Sequence, residues 1–536
     1  MLFSLVVLPS LNRHENETNK RESAKIIVFN SILMMAEEKM DLIADISIAA
    51  AKYANHLAMV IEDKKYSYQQ LFHIVCQVYT TICNREGDVV GIVAENRIET
   101  YASILATLFA GKTYVILHPD FPISRNTHIA KQAGICCLLC TDLKCEILEP
   151  ALTIPKFCTS VSDFEQIPDT ERGVPPVIKE SAANAYIIFT SGSTGEPKGV
   201  PISRSNLNAF YRAYRKLGWH LDETDRMLQM FELTFDVSVV SFLYPLTLGA
   251  SVFTVPSGGF KYLNVIDILD SYQLTFAAIA PSVLRLSRSY FQSIQLPKLK
   301  YMVVTAEATD VDLLTAFRPC IPNAAVVNLY GPTEGTIYCT SYTIPKTGIK
   351  HYNGMTAIGE PFSEMEMLIA DEDGAPLPCN VKGELLISGP QLMRGYWHDP
   401  EKSALCLLRR SDGKVYYKTG DLCYRDEDGV LMYCGRKDTQ VKIQGFRIEL
   451  GEIEYQVKQF YENAFNAVVI PLYDDNHLCQ MHLVIEKKEE DTQQLVQYLQ
   501  NHLPAYMVPS KIHFLQSFPL NASNKVDRKT ISKLIR

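Results

Sequence analysis

An α/β architecture follows from three features of the sequence. Helical and strand-like apolar patterns alternate over most of the chain, the texture changes near residue 360 to short strands between acid-rich turns, and the last hundred residues mix strands with helices. The chain has 536 residues and 47% hydrophobic content, enough for a large core and more than one domain. A net charge of −8 without a long basic run excludes nucleic acid as the main partner. No apolar run reaches the ~18 residues a bilayer span needs.

The opening "MLFSLVVLPSL" is apolar but lacks a basic flank and a small-residue cleavage pattern. Methionines at 34, 35 and 40 offer later starts, so residues 1–33 are expected to be an extension outside the fold. Fourteen scattered cysteines suit a reducing cytoplasm. Cys137 and Cys140 form a C-x-x-C beside Cys136 and Cys145, but the string "ICCLLC" has no second such pair or paired histidines nearby. It predicts a buried strand rather than a zinc site.

In order, "YSYQQLFHIVCQVYTTI" has helical spacing and "DVVGIVAEN" is a short buried strand. "IETYASILATLFAGKTYVIL" and "HIAKQAGICCLLCTD" repeat the helix–strand pair. Such alternation predicts a parallel sheet covered by helices. The Pro/Gly-rich connector "TERGVPPVIKE" leads to the strand Tyr186-Ile-Ile-Phe189, and "SRSNLNAFYRAYRKLGW" is a helix opened by serine caps. Alternation continues through "ASVFTVP", "IDILDSY", "LTFAAIAPS" and "KYMVVTAEA" to "AAVVNLYGPTEGTIYCTSY". The turns "DEDGAPLP", "DGKVYY" and "DEDGVLMYCGR" then mark a small β-rich subdomain.

Between the strand ending at Phe189 and Lys198 stand Thr190, Ser191, Gly192, Ser193, Thr194 and Gly195, all small or hydroxylated. Glycines let backbone N–H groups approach an anion, hydroxyls donate further hydrogen bonds, and the lysine adds charge. The spacing is not that of a Walker A loop. A nucleotide-phosphate loop is the expectation.

Five segments in order, "FTSGSTGEPKGV" (189–200), "NLYGPTEGTIY" (328–338), "YKTGDL" (417–422), "GRKDTQVKIQGFRIELGEIE" (435–454) and "LNASNKVDRK" (520–529), resemble the adenylate-forming superfamily. The likeness is to amino-acid adenylation domains of nonribosomal peptide synthetases and to stand-alone ligases such as D-alanine–carrier protein ligase. It implies a large N-terminal domain over 34–435, with helix-covered sheets and the β-rich subdomain, a hinge at 436–438, and a small mobile α+β domain over 439–536. It implies ATP and Mg²⁺ as cofactors. Thr190 to Lys198 would enclose the β- and γ-phosphates, Tyr330 would lie against adenine with Asn328 at its amino edge and Thr333 nearby, and Asp421 and Arg436 would hold the ribose. Glu334 would bind the metal. Lys525 would bridge carboxylate and α-phosphate, with Lys198 and Glu334 as the other catalytic groups.

The same resemblance makes Asp236, in the strand-like string "FELTFDVSVVSFLYPLTLGA", the partner of a substrate α-ammonium. Val237, Val240, Ala278, Val303, Thr305, Leu329, Ile337 and Tyr338 would line the side-chain pocket and favour a small or medium uncharged group. Asp438 would be the hinge residue, and Gly445 would let a phosphopantetheine thiol pass. Ala306 and Asn524 stand where the family more often has glycine. The chain stops soon after Lys525, so the acyl or peptidyl carrier protein is expected to be separate, and a cytoplasmic monomer is expected. The alternatives are an acyl- or aryl-CoA ligase of the same fold, or a nucleotide-binding scaffold.

Overall fold

The computed structural model describes residues 40–160, 174–175, 183–192, 196–256, 258, 260–474, 477–520 and 526–536. The chain divides into two compact units, residues 1–41 and 42–536. The expected extension over 1–33, and with it the boundary at residue 34, lies outside the described residues. No helix among those described is long and apolar enough to cross a membrane.

In the second unit a six-stranded sheet contains the strands predicted from the first half. In spatial order they are Lys156–Cys158, Cys137–Cys140, Val89–Val93, Thr113–Leu117, Asn184–Thr190 and Lys198–Ser203. All pairs are parallel except the last. The parallel sheet expected of the alternating segments is present, and Lys198–Ser203 adds an antiparallel edge strand to it. Thr190 pairs in register with Lys198. Cys137–Cys140 is the buried strand expected of "CLLC", and no three-ligand metal cluster occurs among the described residues.

A nine-stranded sheet carries the other half of the site. Its central strands Ser251–Thr254, Arg226–Gln229, Phe276–Ile279, Tyr301–Val304 and Ala325–Tyr330 are parallel, and its outer strands are antiparallel. An apolar cluster including Leu228, Ile279, Val304 and Phe317 packs along it. The β-rich subdomain is an antiparallel sheet built around the strands Gly383–Ser388 and Val415–Arg425. The C-terminal portion packs helices Leu450–Phe460 and Gln493–His502 and a three-stranded sheet around its own cluster of Ile453, Leu483, Leu499 and Met507.

One element differs in kind from the expectation. The strand-like string after Phe235 is a helix, Asp236–Leu248. Its residues from Asp236 to Leu246 are all buried, so no polar face marks a helical period. Gly249, left-handed at φ 79°, ends it, and a Cβ there would lie 2.2 Å from the Tyr53 ring. Asp236 is therefore a first-turn helix residue.

The serine caps are present. Ser67 opens Tyr68–Ile82 and Ser203 opens Arg204–Arg215, each through a reciprocal capping box. Asn206 does more than cap: its Nδ2 donates to the carbonyls of Pro390 (2.7 Å) and Leu392 (3.0 Å). That strap in turn holds the strand-end loop of the site. Gln391 Nε2 donates to the carbonyls of Gly335 and Tyr338, and Met393 N donates to the Glu334 carbonyl. Asn206→Ala should lower stability by about 2–3 kcal/mol, because it removes a cap and leaves two carbonyls unpaired. Ser67→Ala should cost only about 1 kcal/mol. Urea denaturation of both variants checks this; equal losses would mean that the strap contributes nothing.

Candidate active site

The site lies where three pieces of backbone converge: the phosphate-loop hairpin, the loop after Ala325–Tyr330, and the hairpin Gln440–Ile443/Phe446–Glu449 of the C-terminal portion. Gly331 makes the second loop possible. A Cβ there would stand 2.5 Å from the Ile337 carbonyl oxygen and 2.7 Å from Tyr338 Cα. Thr336 and Ile337 then both adopt positive φ (60° and 69°), an unfavourable conformation for β-branched residues, held by the Gln391 strap.

Glu334 is fully buried at the phosphate end. Its Oε1 accepts from Tyr396 Oη at 2.8 Å and lies 3.5 Å from Lys198 Nζ; its Oε2 accepts from Arg447 at 2.7 Å. Burial raises its pKa, but Arg447 and Lys198 reverse this and hold the carboxyl well below the usual range. Lys198, also donating to Tyr396 at 3.0 Å, is pushed below the ordinary lysine value by burial and by the nearby Arg447. The Thr190 hydroxyl is buried with no partner among the described residues, as an anion-binding donor awaiting a ligand would be.

The expected nucleotide groups are adjacent. Asp421 accepts from Arg436 Nη1 at 2.8 Å and from the Tyr330 hydroxyl. Asn328 gives its amide N–H groups to Thr356 Oγ1 and the Ala357 carbonyl, which leaves its oxygen as the group able to accept from an amino edge. Ala306, Asn328, Leu329 and Tyr330 border one small compartment of about 40 Å³. Ala306 sits at φ 69°, the left-handed region, which explains a preference for glycine there.

A second compartment of about 50 Å³ is lined by Asp236, Val237, Thr305, Ile337 and Tyr338, with Thr333 at its edge. Val240, Ala278 and Val303 are buried but border neither compartment, and Leu329 borders the first. Burial pushes the Asp236 carboxyl up to about 6, against a hydrogen bond from Thr333. The phenol oxygens of Tyr186 and Tyr338, both near enough to feel its charge, are buried without partners among the described residues.

The resemblance implies that "QGFRIELGE" (444–452) faces the site after the small domain rotates, but it gives individual roles neither to Lys442 nor to Arg447. Lys442 borders both compartments, 5.6 Å over the Tyr330 ring, and Arg447, its register partner, reaches Glu334. The signal was available: Val441, Ile443 and Ile448 pack in the small core, so period two sends Lys442 and Arg447 to the other face. Glu307 was also missed; it accepts from Gly445 N at 2.7 Å and from Arg285. Gly445 follows Gln444 in a turn with both φ positive (51° and 83°), and a Cβ there would lie 3.8–3.9 Å from Ala280, Ala306 and Phe231. Asp438 chelates the Arg436 guanidinium at 2.6–2.7 Å. Ser193, Thr194, Gly195 and Lys525 lie outside the described residues. Phe231 also borders a cleft of about 640 Å³ whose wall includes His118, Phe121, Lys261, Phe446 and Tyr506.

A family model for AMP-binding enzymes matches residues 46–397. The chain belongs to that family. It is 31% identical over 494 residues to zwittermicin A synthase ZmaJ of Bacillus cereus, covering 90% of this chain and 92% of that protein. It is 31% identical to malpinin synthetase of Mortierella alpina and 29% to tyrocidine synthase 3 of Brevibacillus parabrevis, over 90% of its own length but only 6% and 7% of theirs. The fold is shared with the Vibrio cholerae adenylation domain AlmE, solved with glycyl-adenosine-5'-phosphate (TM-score 0.80, 24% identity, 92% of this chain and 97% of that one). It is shared too with a nonribosomal peptide synthetase protein containing adenylation and PCP domains, bound to a vinylsulfonamide inhibitor (TM-score 0.77, 21% identity, 92% and 84% covered).

The chain thus carries the fold and family of an AMP-binding enzyme. The loop after Tyr330 borders both compartments, so its closest backbone contact is the place to probe. Gly331→Ala should weaken ATP binding at least about tenfold, because its Cβ meets backbone that cannot yield cheaply. Calorimetric titration with ATP measures it, and an unchanged Kd would show that the loop relaxes.

Proposed function

We propose that this adenylation domain activates an amino acid as aminoacyl-AMP, releases pyrophosphate, and passes the acyl group to the phosphopantetheine thiol of a separate carrier protein. The observation that carries the reading is Asp236: a buried carboxylate with no ion-pair partner among the described residues, facing a narrow compartment beside the nucleotide groups. A buried carboxylate needs a cation, and a substrate ammonium supplies one. Thr305, Tyr338 and the small volume favour a compact, uncharged side chain. A des-amino acid would leave Asp236 unanswered, which disfavours the acyl-CoA ligase alternative.

In the reaction the acid's carboxylate oxygen bonds to the α-phosphorus as the bond to the bridging oxygen breaks and pyrophosphate leaves. Lys198 would hold phosphate oxygens, Asp421 the ribose hydroxyls and the Tyr330 ring the adenine, which orients the nucleotide. Mg²⁺ fits Glu334, a hard oxygen ligand at the phosphate end, once Arg447 withdraws; bound there it would neutralise phosphate charge. Lys525 is proposed to reach the site from the C-terminal segment and bridge the two anions. The cleft bordered by Phe231 and Phe446 leads towards Gly445 and suits a thin thiol-bearing arm. Residues 436–438 are proposed as the hinge between the large domain (to 435) and the small one (from 439).

ATP–pyrophosphate exchange over an amino-acid panel tests the first step. Stimulation by no acid in folded protein would remove the amino-acid reading and leave the acyl- or aryl-CoA ligase and scaffold readings. Asp236→Ala should raise the amino-acid KM by the equivalent of ~2–5 kcal/mol with ATP affinity unchanged. Because the Asp236 carboxyl titrates at about 6, its anion is present above that pH and lost below it. The amino-acid KM should therefore rise about tenfold per unit as pH falls below 6 in the wild type, and stay flat in Asp236→Ala.

The two half-reactions should separate. Lys525→Ala should lose adenylate formation by roughly 3–4 kcal/mol, yet still load a carrier from preformed aminoacyl-adenylate. Gly445→Trp should do the reverse, since the left-handed turn and the approach to Phe231 exclude a large side chain. Exchange and single-turnover loading on both variants decide; equal loss of both activities in Lys525→Ala would remove the proposed division of labour.

A further inference from the structure

A second chemistry lies outside the candidate site, at the edge of the six-stranded sheet. Five cysteines fall between residues 136 and 158, and two of them face each other. Cys140 ends the strand Cys137–Cys140, Cys158 ends its parallel edge neighbour Lys156–Cys158, and the two are Cα partners in register. Register partners share a face of the sheet, and neighbouring strands lie about 4.8 Å apart. Each thiol donates to a carbonyl beside the other cysteine, Cys140 Sγ to Phe157 at 3.8 Å and Cys158 Sγ to Thr141 at 3.3 Å. Cys145, on the turn after Cys140, packs against the same apolar cluster as Cys140.

The pair joins an accessible thiol to a hidden one. Cys158 is exposed, whereas Cys140 is buried at 2% exposure. Burial pushes the Cys140 thiol up to about 12, and the neighbouring Cys145 thiol adds to the shift. A thiol held protonated does not begin an exchange, but its thiolate, once formed, is a strong nucleophile. Among the described residues no group of three or more side chains is arranged to hold a metal ion. The strand spacing falls inside the ~4.4–6.8 Å Cα separation that a disulfide spans. Thiol–disulfide exchange is the chemistry that suits this arrangement.

We propose that Cys158 and Cys140 form a thiol–disulfide site that small organic disulfides oxidise. The Cys158 thiolate attacks one sulfur of the small disulfide, which forms a mixed disulfide and releases the first small thiol. The Cys140 thiolate then attacks the Cys158 sulfur, which forms the cross-strand disulfide and releases the second. Two electrons and two protons pass from the cysteine pair to the small disulfide, and a thiol reductant reverses both steps. Transient bonds of this kind occur in reducing compartments, where permanent ones are rare. The site reaches the large cleft through one residue. Thr141, next to Cys140, donates its hydroxyl to Glu95, and Glu95 lines the cleft of about 640 Å³. Oxidation replaces the Cys158–Thr141 hydrogen bond with a covalent link at the adjoining residue, so it stiffens the turn at 141–145 that holds Glu95. None of this depends on the proposed amino acid or carrier.

The test treats the full chain with oxidised glutathione, alkylates the remaining thiols and maps the linked peptides by mass spectrometry. Wild type should show a Cys140–Cys158 link that dithiothreitol removes, and Cys145→Ser should show the same. Cys140→Ser should stop at a glutathione adduct on Cys158, and Cys158→Ser should leave Cys140 free. In the linked protein, amide exchange over 141–145 should slow about a hundredfold, the loop-closure effect of a cross-link over roughly fifteen residues. A wild type that leaves both thiols free, stops at the Cys158 adduct, or links Cys140 to Cys145 overturns the proposed pair. A linked protein whose 141–145 amides exchange as fast as in the reduced protein overturns the connection to the cleft wall. Should Cys140→Ser fail to fold, the wild-type linkage map decides alone.

Discussion

Glu334 has no exposed surface, and its negative charge is the constraint around which the rest of the site is built. An ionised carboxylate taken out of water has to be met by positive charge and hydrogen bonds, and leaving it unpaired costs about 3–5 kcal/mol. The protein meets that demand from three directions. Lys198 comes from the return strand of the phosphate hairpin, Tyr396 from the β-rich subdomain, and Arg447 from the small domain. Two of these contributors precede residue 436. The third, Arg447, stands on an element whose own core is separate, around Ile453 and Leu483.

The selectivity of the site rests on backbone that has little freedom. Ala306, Thr336 and Ile337 all hold positive φ, and Gly331 has no room for a Cβ. Such conformations persist only where the surroundings over-determine them. Here the surroundings are the Gln391 strap and, behind it, Asn206 on a helix far along the chain. Ile337 and Tyr338 face the substrate compartment because that strap fixes the turn, and so a helix cap bears on which side chain the compartment accepts.

Most of the fold was legible because its elements have clear periods and capped ends. The serine-capped helices, the "CLLC" strand and the acid-rich hairpins of the β-rich subdomain all stand where their residues point. Asp236–Leu248 was not legible as a helix. A helix buried on every side carries no polar face, and a run of valines and aromatics looks like a strand. The parallel sheet expected of the alternating segments is present, and the one antiparallel pair is added by the strand Lys198–Ser203, which the alternation did not include. Within the candidate site, the sequence singles out Asp421, Arg436, Tyr330 and Glu334 because each stands in a compact motif. Lys442 and Glu307 were hidden because their roles come from the partner element that they meet, and that meeting is tertiary.

The hairpin brings its groups as one piece. Its two-residue turn at Gln444 and Gly445 has the positive φ pair that matches strand twist, and Val441, Ile443 and Ile448 anchor its other face in the small core. Lys442, Arg447 and Gly445 therefore arrive or leave together. With them present, Lys442 bears on Asp236 and Asp421 while Arg447 answers Glu334. With them absent, those three carboxylates keep only the large domain's Lys198 and the hinge-side Arg436. A substrate ammonium at Asp236, ribose hydroxyls at Asp421 and a metal at Glu334 would then complete the same charge balance. The hairpin thus supplies to these carboxylates the positive charge that such ligands would also bring.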